Sequence, residues 1–131
     1  MAYRKPSWFT RKVFNPIAIK TGISGTKALE VRGRRSGRTQ RVPVIPLDHE
    51  GARYLVAPRG ETDWVKNLRA AGEGTMSGKG GTERFRVTEV PVAERSPILV
   101  AYQRLAGKAV ESHFKALPDP SDHPVFRLES R

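Results

Sequence analysis

The sequence predicts an α+β fold, a small β-barrel capped by helices, and three observations support this prediction. Short runs of alternating apolar and polar residues are separated by glycine and proline, which indicates many short strands. Helical patterns occur singly or in one pair between runs of strands, which argues against a doubly wound parallel sheet. Prolines also interrupt several strands, and this is typical of sheet edges, bulges and barrel corners.

Length and composition limit the alternatives. The chain has 131 residues and no cysteine, so one domain is expected, and disulfides, thiolate metal sites and cysteine nucleophiles are excluded. No apolar run approaches the roughly 18 residues of a transmembrane helix, and we find no secretory signal, so a cytoplasmic protein is expected. The single domain (1–131) is expected to comprise a basic N-terminal helical segment (1–22), a barrel core (27–90), and helices with a closing strand (93–131).

The individual elements follow from periodicity and from turn residues. The segment 8–20 carries apolar residues at helical spacing among basic ones and is kinked at Pro16, so it either packs on the core or contacts a membrane surface. A helix at 62–72 is capped by Thr62 or Asp63, ends at Gly72, and places Trp64, Leu68 and Ala71 on one face. Strands are predicted at 27–33, 41–47, 52–58, 73–77, 83–90 and 123–128, and further helices at 93–107 and 108–117.

The charge balance points to an anionic ligand. Twenty-four Lys and Arg against thirteen Asp and Glu give a formal charge of +11. The arginines concentrate between 31 and 44, in a glycine-containing turn where backbone amides can also face an anion and where we expect no acidic residue to neutralise them. Arginine suits phosphate and carboxylate groups because its planar fork binds both bidentately. An anion site, a solvated hairpin and nonspecific nucleic-acid contact all remain open on this basis.

A second candidate element is the strand, turn and helix at 54–72. Arg59 lies beside the helix N-terminus, whose free amides attract anions. Trp64 either stacks on a ligand ring or anchors the core, and Asn67 is expected to make a structural hydrogen bond. Of the histidines, His49 is expected to be exposed in a turn, while His113 and His123 show no metal-ligand spacing, so no metal is expected.

The two segments LEVRGRRSGRTQRVPV and RYLVAPRGETDWVKNLRAAG, in this order and at this spacing, resemble the paired motifs of the deazaflavin-dependent nitroreductase family. The resemblance implies a small split β-barrel, FMN-binding-like, with capping helices. It also implies coenzyme F-420 as the cofactor, a 5-deazaflavin with a phosphodiester and a polyglutamate tail; FMN is less expected. The cofactor would carry the hydride chemistry, while the protein supplies binding, orientation and electrostatics.

The resemblance also assigns site residues. It implies that the arginine turn grips the phosphate side, that the start of the next strand supplies a basic position and lines the ring, and that a second loop and the helix start complete the site. By position these cofactor-binding residues are Arg35, Ser36, Gly37, Arg38, Gln40 or Arg41, Pro43, Val44, Ala57, Pro58, Arg59, Gly60 and Trp64. No catalytic residue is assigned beyond Tyr102, the one tyrosine candidate near the substrate.

These observations together predict an F-420-dependent oxidoreductase that transfers a hydride between the deazaflavin and a small quinone, enone or nitroaromatic. One alternative is a split barrel that binds a ligand or cofactor without turnover. Another is a basic nucleic-acid-binding module, although the arginine-rich segment contains no aromatic residues for base stacking. The expected partner is a small-molecule substrate, with membrane contact through 8–20 as a further option and the oligomeric state open.

Overall fold

The computed structural model describes residues 25–78 and 80–131, and the helix predicted within 8–20 lies outside them. Short 3-10 turns at Val92–Glu94 and Pro120–Asp122 flank the helical pair. The strands are β1 (Lys27–Arg32), β2 (Thr39–Val44), β3 (Leu47–His49), β4 (Ala52–Val56), β5 (Glu73–Gly78), β6 (Gly81–Glu89) and β7 (Val125–Ser130). The helices of the described part are α1 (Asp63–Ala71), α2 (Ser96–Ala106) and α3 (Lys108–Ala116).

All seven strands form one curled antiparallel sheet in the order β2-β1-β5-β6-β7-β4-β3. The predicted α+β barrel architecture with capping helices is therefore confirmed. The prediction of one strand at 41–47 is wrong, because β2 and β3 lie at opposite edges of the sheet and the chain turns between them at Ile45 and Pro46. Proline cannot donate to a strand ladder, and this explains why the strand breaks at that corner.

Two hydrophobic clusters fill the fold. One lies between α1 and the strands on the β2 side of the sheet, and its members include Leu29, Val65, Leu68, Met76 and Phe85. The other lies between the α2–α3 pair and the β3–β4 side, and its members include Leu47, Val56, Ile98, Tyr102 and Phe114. None of the helices in the described ranges is long and apolar enough to cross a bilayer.

The observed ends of helix α1 agree with the predicted ones. Gly72 adopts a left-handed conformation (φ 72°) and its N–H donates to the Leu68 carbonyl, as expected for a helix end. Thr62 precedes the helix, but its side chain makes no capping hydrogen bond. Of the predicted face, Leu68 is buried together with Val65, whereas Ala71 is exposed. Val65 and Leu68 are three positions apart, and side chains at that spacing lie on one face of a helix.

The C-terminal boundaries shift by a few residues. The helix predicted at 93–107 is a 3-10 turn followed by α2, which begins at Ser96 with a proline in its first turn. The closing strand begins at Val125, later than predicted, because His123 and the proline after it are buried against the end of β4.

Candidate functional site

The arginine-rich turn between β1 and β2 is tightly hydrogen-bonded. The Gly33 N–H donates to the Arg38 carbonyl (2.8 Å), and the Gly37 N–H donates to the Gly33 carbonyl (3.0 Å). The Ser36 hydroxyl accepts from the Arg38 N–H (3.1 Å). Gly37 has φ 75°, and a Cβ on Gly33 would lie 3.0 Å from the Ser36 hydroxyl, so both positions favour glycine. The turn therefore presents Arg35 and Arg38 from a fixed backbone.

Helix α1 fastens this turn to the second motif. The buried side-chain oxygen of Asn67 accepts from the Arg34 backbone N–H (3.0 Å) and from its guanidinium (2.7 Å). The same guanidinium lies 3.6 Å from the Asp63 carboxylate. Asn67 is thus a structural hydrogen-bonding residue, as expected, and Arg34 serves the turn rather than projecting freely.

Acidic residues do approach the arginines, which corrects the expectation that none neutralises them. The antiparallel register places Glu30 opposite Arg41, and the Arg41 Nε lies 3.3 Å from the Glu30 carboxylate. Asp63 belongs to α1 and approaches Arg34 from the far side of the turn. Arg35 and Arg38 form no ion pair with any residue of the described ranges. The unneutralised charge is therefore concentrated at the turn's tip.

A cationic groove of about 760 Å³ opens beside the turn. Five arginines line it against two glutamates, and one of those glutamates, Glu73, is paired with Arg131. Sequence reasoning missed Arg84 and Arg131, which arrive from β6 and from the residue after β7. The Arg131 N–H donates to the Arg84 carbonyl (3.2 Å), and this bond brings the two together. The arginines are Arg32, Arg34, Arg35, Arg84 and Arg131.

A smaller pocket of about 160 Å³ lies between β2 and the start of α1. The two motifs meet here, because Gln40 and Arg41 come from the first and Arg59 and Trp64 from the second. The Trp64 ring is half-buried and packs at a tilt against Phe126. Thr62 also lines this pocket, and its hydroxyl is buried with no hydrogen-bond partner among the residues described. No feature of the sequence pointed to this hydroxyl as a pocket group.

The remaining expected site residues contribute differently. Pro58 and Arg59 are half-buried in a turn that Gly60 closes with φ 86° and an N–H donated to the Ala57 carbonyl (3.3 Å). The side chains of Val44 and Ala57 belong to the first hydrophobic cluster. Pro43 is half-buried on the edge strand β2 and lines neither the groove nor the smaller pocket.

Two titratable residues, Tyr102 and His49, are less exposed than a surface side chain. Tyr102 is 3% exposed and packs against Phe114 in the second cluster. Burial raises the pKa of its phenol, although the charge of Arg59 opposes that shift, so the phenol stays protonated at neutral pH. His49 is half-buried rather than exposed, because its ring packs near Tyr54 and lies 3.3 Å from the Glu50 carboxylate.

Comparison with solved structures defines the class of this fold. The solved structure of an F-420-H2-dependent reductase, FDR-A, matches with a TM-score of 0.60 and 18% identity, over 79% of this chain and 93% of that chain. A putative 5-nitroimidazole antibiotic resistance protein from Bacteroides thetaiotaomicron matches with a TM-score of 0.56 and 12% identity, over 90% and 81%. A FAD-binding protein from Mesorhizobium loti matches with a TM-score of 0.54 and 16% identity, over 81% and 80%. These likenesses establish the split-barrel fold.

The family follows from the sequence itself. The model of the F-420H2-dependent quinone reductase family matches residues 2–111, so the chain belongs to that family. It is an oxidoreductase whose cofactor is coenzyme F-420, and the predicted resemblance is confirmed. No curated protein sequence matches the chain significantly.

The residues present fit this cofactor. A phosphodiester and several carboxylates need a cationic surface, and the groove supplies five arginines beside a turn that its own hydrogen bonds fix. A flat ring needs a narrow slot with an aromatic wall and a polar donor, and the smaller pocket supplies Trp64 and the unpartnered Thr62 hydroxyl. The two cavities flank one contact, since Arg34 lines the groove and its partner Asn67 lines the pocket.

Proposed function

We propose that this F-420-dependent oxidoreductase reduces a quinone, with an enone or a nitroaromatic as the less favoured acceptor. The description of the family supports a quinone, and the nitroimidazole-resistance protein of the same fold keeps the nitroaromatic in consideration. One observation carries the proposal: a cationic groove and an aromatic-walled pocket lie on either side of the Arg34–Asn67 contact. A ligand with an anionic tail and a flat ring can span both.

We assign the tail to the turn. Arg35 and Arg38 would hold the phosphodiester and carboxylates together with the Ser36 hydroxyl. The tight turn supports this role, because its backbone hydrogen bonds fix these donors before any ligand arrives. Arg84 and Arg131 extend the same cationic surface across β6.

We assign the ring to the smaller pocket. Gln40, Arg41 and Arg59 would contact the polar edge of the ring, and Trp64 would form one wall. Of Pro43, Val44 and the loop 57–60, Arg59 is the residue that lines this pocket, and the Val44 and Ala57 side chains would support it from the core. Bound F-420 in its reduced form supplies the hydride from its C5 carbon. The chain's own contribution is orientation and exclusion of water, so no side chain need act as a nucleophile.

Reaction rates measured with one electron acceptor at a time test the proposal. Purified protein is mixed with reduced F-420 and with menadione, cyclohexenone or a nitroimidazole, and the return of the oxidised deazaflavin absorbance is followed. We expect turnover with the quinone at the highest kcat/KM, and no comparable rate when reduced FMN replaces reduced F-420. Binding of F-420 without oxidation by any acceptor would instead favour the non-catalytic binding protein. A preference for the nitroimidazole would overturn the choice of acceptor alone.

A further inference from the structure

His123 is a fully buried histidine at the junction of three elements. It lies just before β7, and its ring stacks on Phe114 of α3 with centroids 4.2 Å apart and 18° between the planes. Its Nδ1 lies 2.9 Å from the Ala57 carbonyl oxygen at the end of β4. Its Nε2 approaches the carbonyl of Leu117, at the end of α3. The ring therefore bridges the end of a helix and the start of the pocket loop.

The Ala57 peptide is the anchor of that loop. Its carbonyl faces His123 and also accepts from the Gly60 N–H (3.3 Å), which closes the turn containing Arg59. Its N–H donates to the Pro124 carbonyl (3.0 Å). Residues 123 and 124 thus hold Ala57 from both sides, and the loop leaves this fixed point toward the pocket lined by Arg59 and Thr62.

The backbone of His123 is itself held by a neighbouring side chain. The buried Arg95 donates to the carbonyls of His123 and Pro120 (3.3 Å each) and to that of Val90 (2.9 Å). These bonds fix the backbone of the residue whose ring reaches Ala57. A ring that only filled space would need neither a nitrogen within hydrogen-bond distance of the Ala57 carbonyl nor such support, because phenylalanine would fill a similar volume.

We propose that His123 is a positioning residue for the pocket. Its Nδ1–H donates to the Ala57 carbonyl and sets the Ala57–Gly60 loop, and through it Arg59 and Thr62. This inference rests on the proposed function for its link to cofactor binding, whereas the hold on the loop can be measured without any cofactor.

Two amide substitutions separate the positioning role from packing. The asparagine amide nitrogen is a δ atom, like Nδ1, so His123→Asn keeps a donor near Ala57. The glutamine amide nitrogen is an ε atom, like Nε2, so His123→Gln places a donor toward Leu117 and leaves none at Ala57. Both substitutions remove the ring that stacks on Phe114, so the loss of packing is shared. His49→Asn, a histidine outside both cavities, is the matched control.

Hydrogen exchange and binding are measured on each variant. For His123→Gln we expect the Gly60 amide to exchange about fivefold to tenfold faster, because one hydrogen bond that orders its acceptor is lost. F-420 affinity should fall by a similar factor while kcat at saturating cofactor stays within about twofold. His123→Asn should stay close to the wild type in both measurements, and His49→Asn should match it.

Equal exchange and equal affinity in the two amide variants would overturn the proposal. A measurement on the wild type serves if neither variant folds: nitrogen-labelled protein should show a proton on His123 Nδ1 coupled to the Ala57 carbonyl carbon, and an unprotonated Nδ1 would also overturn it. If the wild type bound no F-420, the proposed function would fail, yet the exchange difference would still decide whether His123 holds the loop.

Discussion

At the scale of the residue, two polar side chains of the site do opposite things. Asn67 is buried and satisfied, since its oxygen accepts twice from Arg34. Thr62 carries a buried hydroxyl with no partner in the described ranges. An unsatisfied buried hydroxyl costs free energy, and its place beside a pocket makes it a candidate ligand contact. The first residue fixes the site's shape, and for the second we propose a contact with the bound cofactor.

Thr62→Val should therefore separate stability from binding. Valine has the same shape without the hydroxyl, so the free energy of unfolding should stay unchanged or rise by about 1 kcal/mol. No helix cap is lost, because the Thr62 side chain makes none. F-420 affinity should fall about twofold to tenfold, the worth of one hydrogen bond. Urea unfolding and fluorescence titration measure the two quantities.

The control for that experiment is Thr82→Val, at an exposed position of β6. It removes a hydroxyl of the same kind from a place that lines neither cavity. We expect no change in its F-420 affinity. A Thr62→Val protein that binds F-420 as tightly as the wild type would show that this hydroxyl does not contact the cofactor.

At the scale of the element, an ion-pair network ties α1 to its surroundings. Arg69, in the last turn of α1, donates to both carboxylate oxygens of Glu61 (2.9 and 3.0 Å). It also donates to both carboxylate oxygens of Glu89 at the end of β6 (2.7 and 2.9 Å). Glu61 belongs to the loop before the helix and its side chain is 12% exposed. The network therefore holds the loop and the helix against the sheet.

This network predicts an acid-dependent stability. The hydrogen bonds from Arg69 lower the pKa of Glu61 below its ordinary value of 4.5. Its contribution is then complete above pH 4.5 and is lost as the pH falls through the lower folded-state value. Glu61→Gln should lower the free energy of unfolding by about 1–2 kcal/mol at neutral pH, and the difference from the wild type should vanish at strongly acid pH.

Urea unfolding of both proteins across this pH range is the measurement. Glu111→Gln is the control, because Glu111 forms an exposed pair with Lys115 one helical turn away and such pairs contribute little. Its effect should be small at every pH. A Glu61→Gln deficit that persisted unchanged in acid would mean that the side chain stabilises the loop by packing and not by charge.

The elements also show what the sequence could and could not predict. Alternating apolar and polar residues identified β1 and β6, and Gly72 identified the end of α1. Both signals are local in the sequence. The break between β2 and β3 escaped because the largely apolar run 42–47 is consistent with one strand, although Pro46 marks the corner between the two sheet edges. His123 escaped for a related reason: its partners at Ala57 and Leu117 come from two other elements, and no local pattern links them.

At the scale of the whole molecule, the sheet register gathers charge that is scattered in the sequence. The sequence predicts an anion site at the arginine turn because five arginines fall within ten residues. Arg84 and Arg131 were not predictable, since they join the groove only when β6 and β7 pair beside β5. A formal charge of +11 over the whole chain predicts attraction to any anion. Arginines brought together in one groove indicate a particular site.

Removing one arginine distinguishes a site from a general attraction. Arg35 lines the groove and forms no ion pair with other described residues, so Arg35→Ala removes ligand contacts without breaking the fold. A charge-assisted contact contributes about 1.5–3 kcal/mol, so F-420 affinity should fall about tenfold to a hundredfold. The rate at saturating cofactor should change little, because Arg35 is assigned to the tail rather than the reacting ring.

Arg104→Ala is the matched control, an exposed arginine on α2 outside both cavities. It removes the same charge, and F-420 affinity should stay at the wild-type level. A nucleic-acid binder would behave differently: both variants would weaken oligonucleotide binding modestly and alike, and each lost phosphate contact would lower the log–log salt slope by about one. Titrations with F-420 and with an oligonucleotide at two salt concentrations separate these cases. If Arg35→Ala bound F-420 like the wild type, the turn would not be the grip for the phosphate, whatever the total charge of the chain.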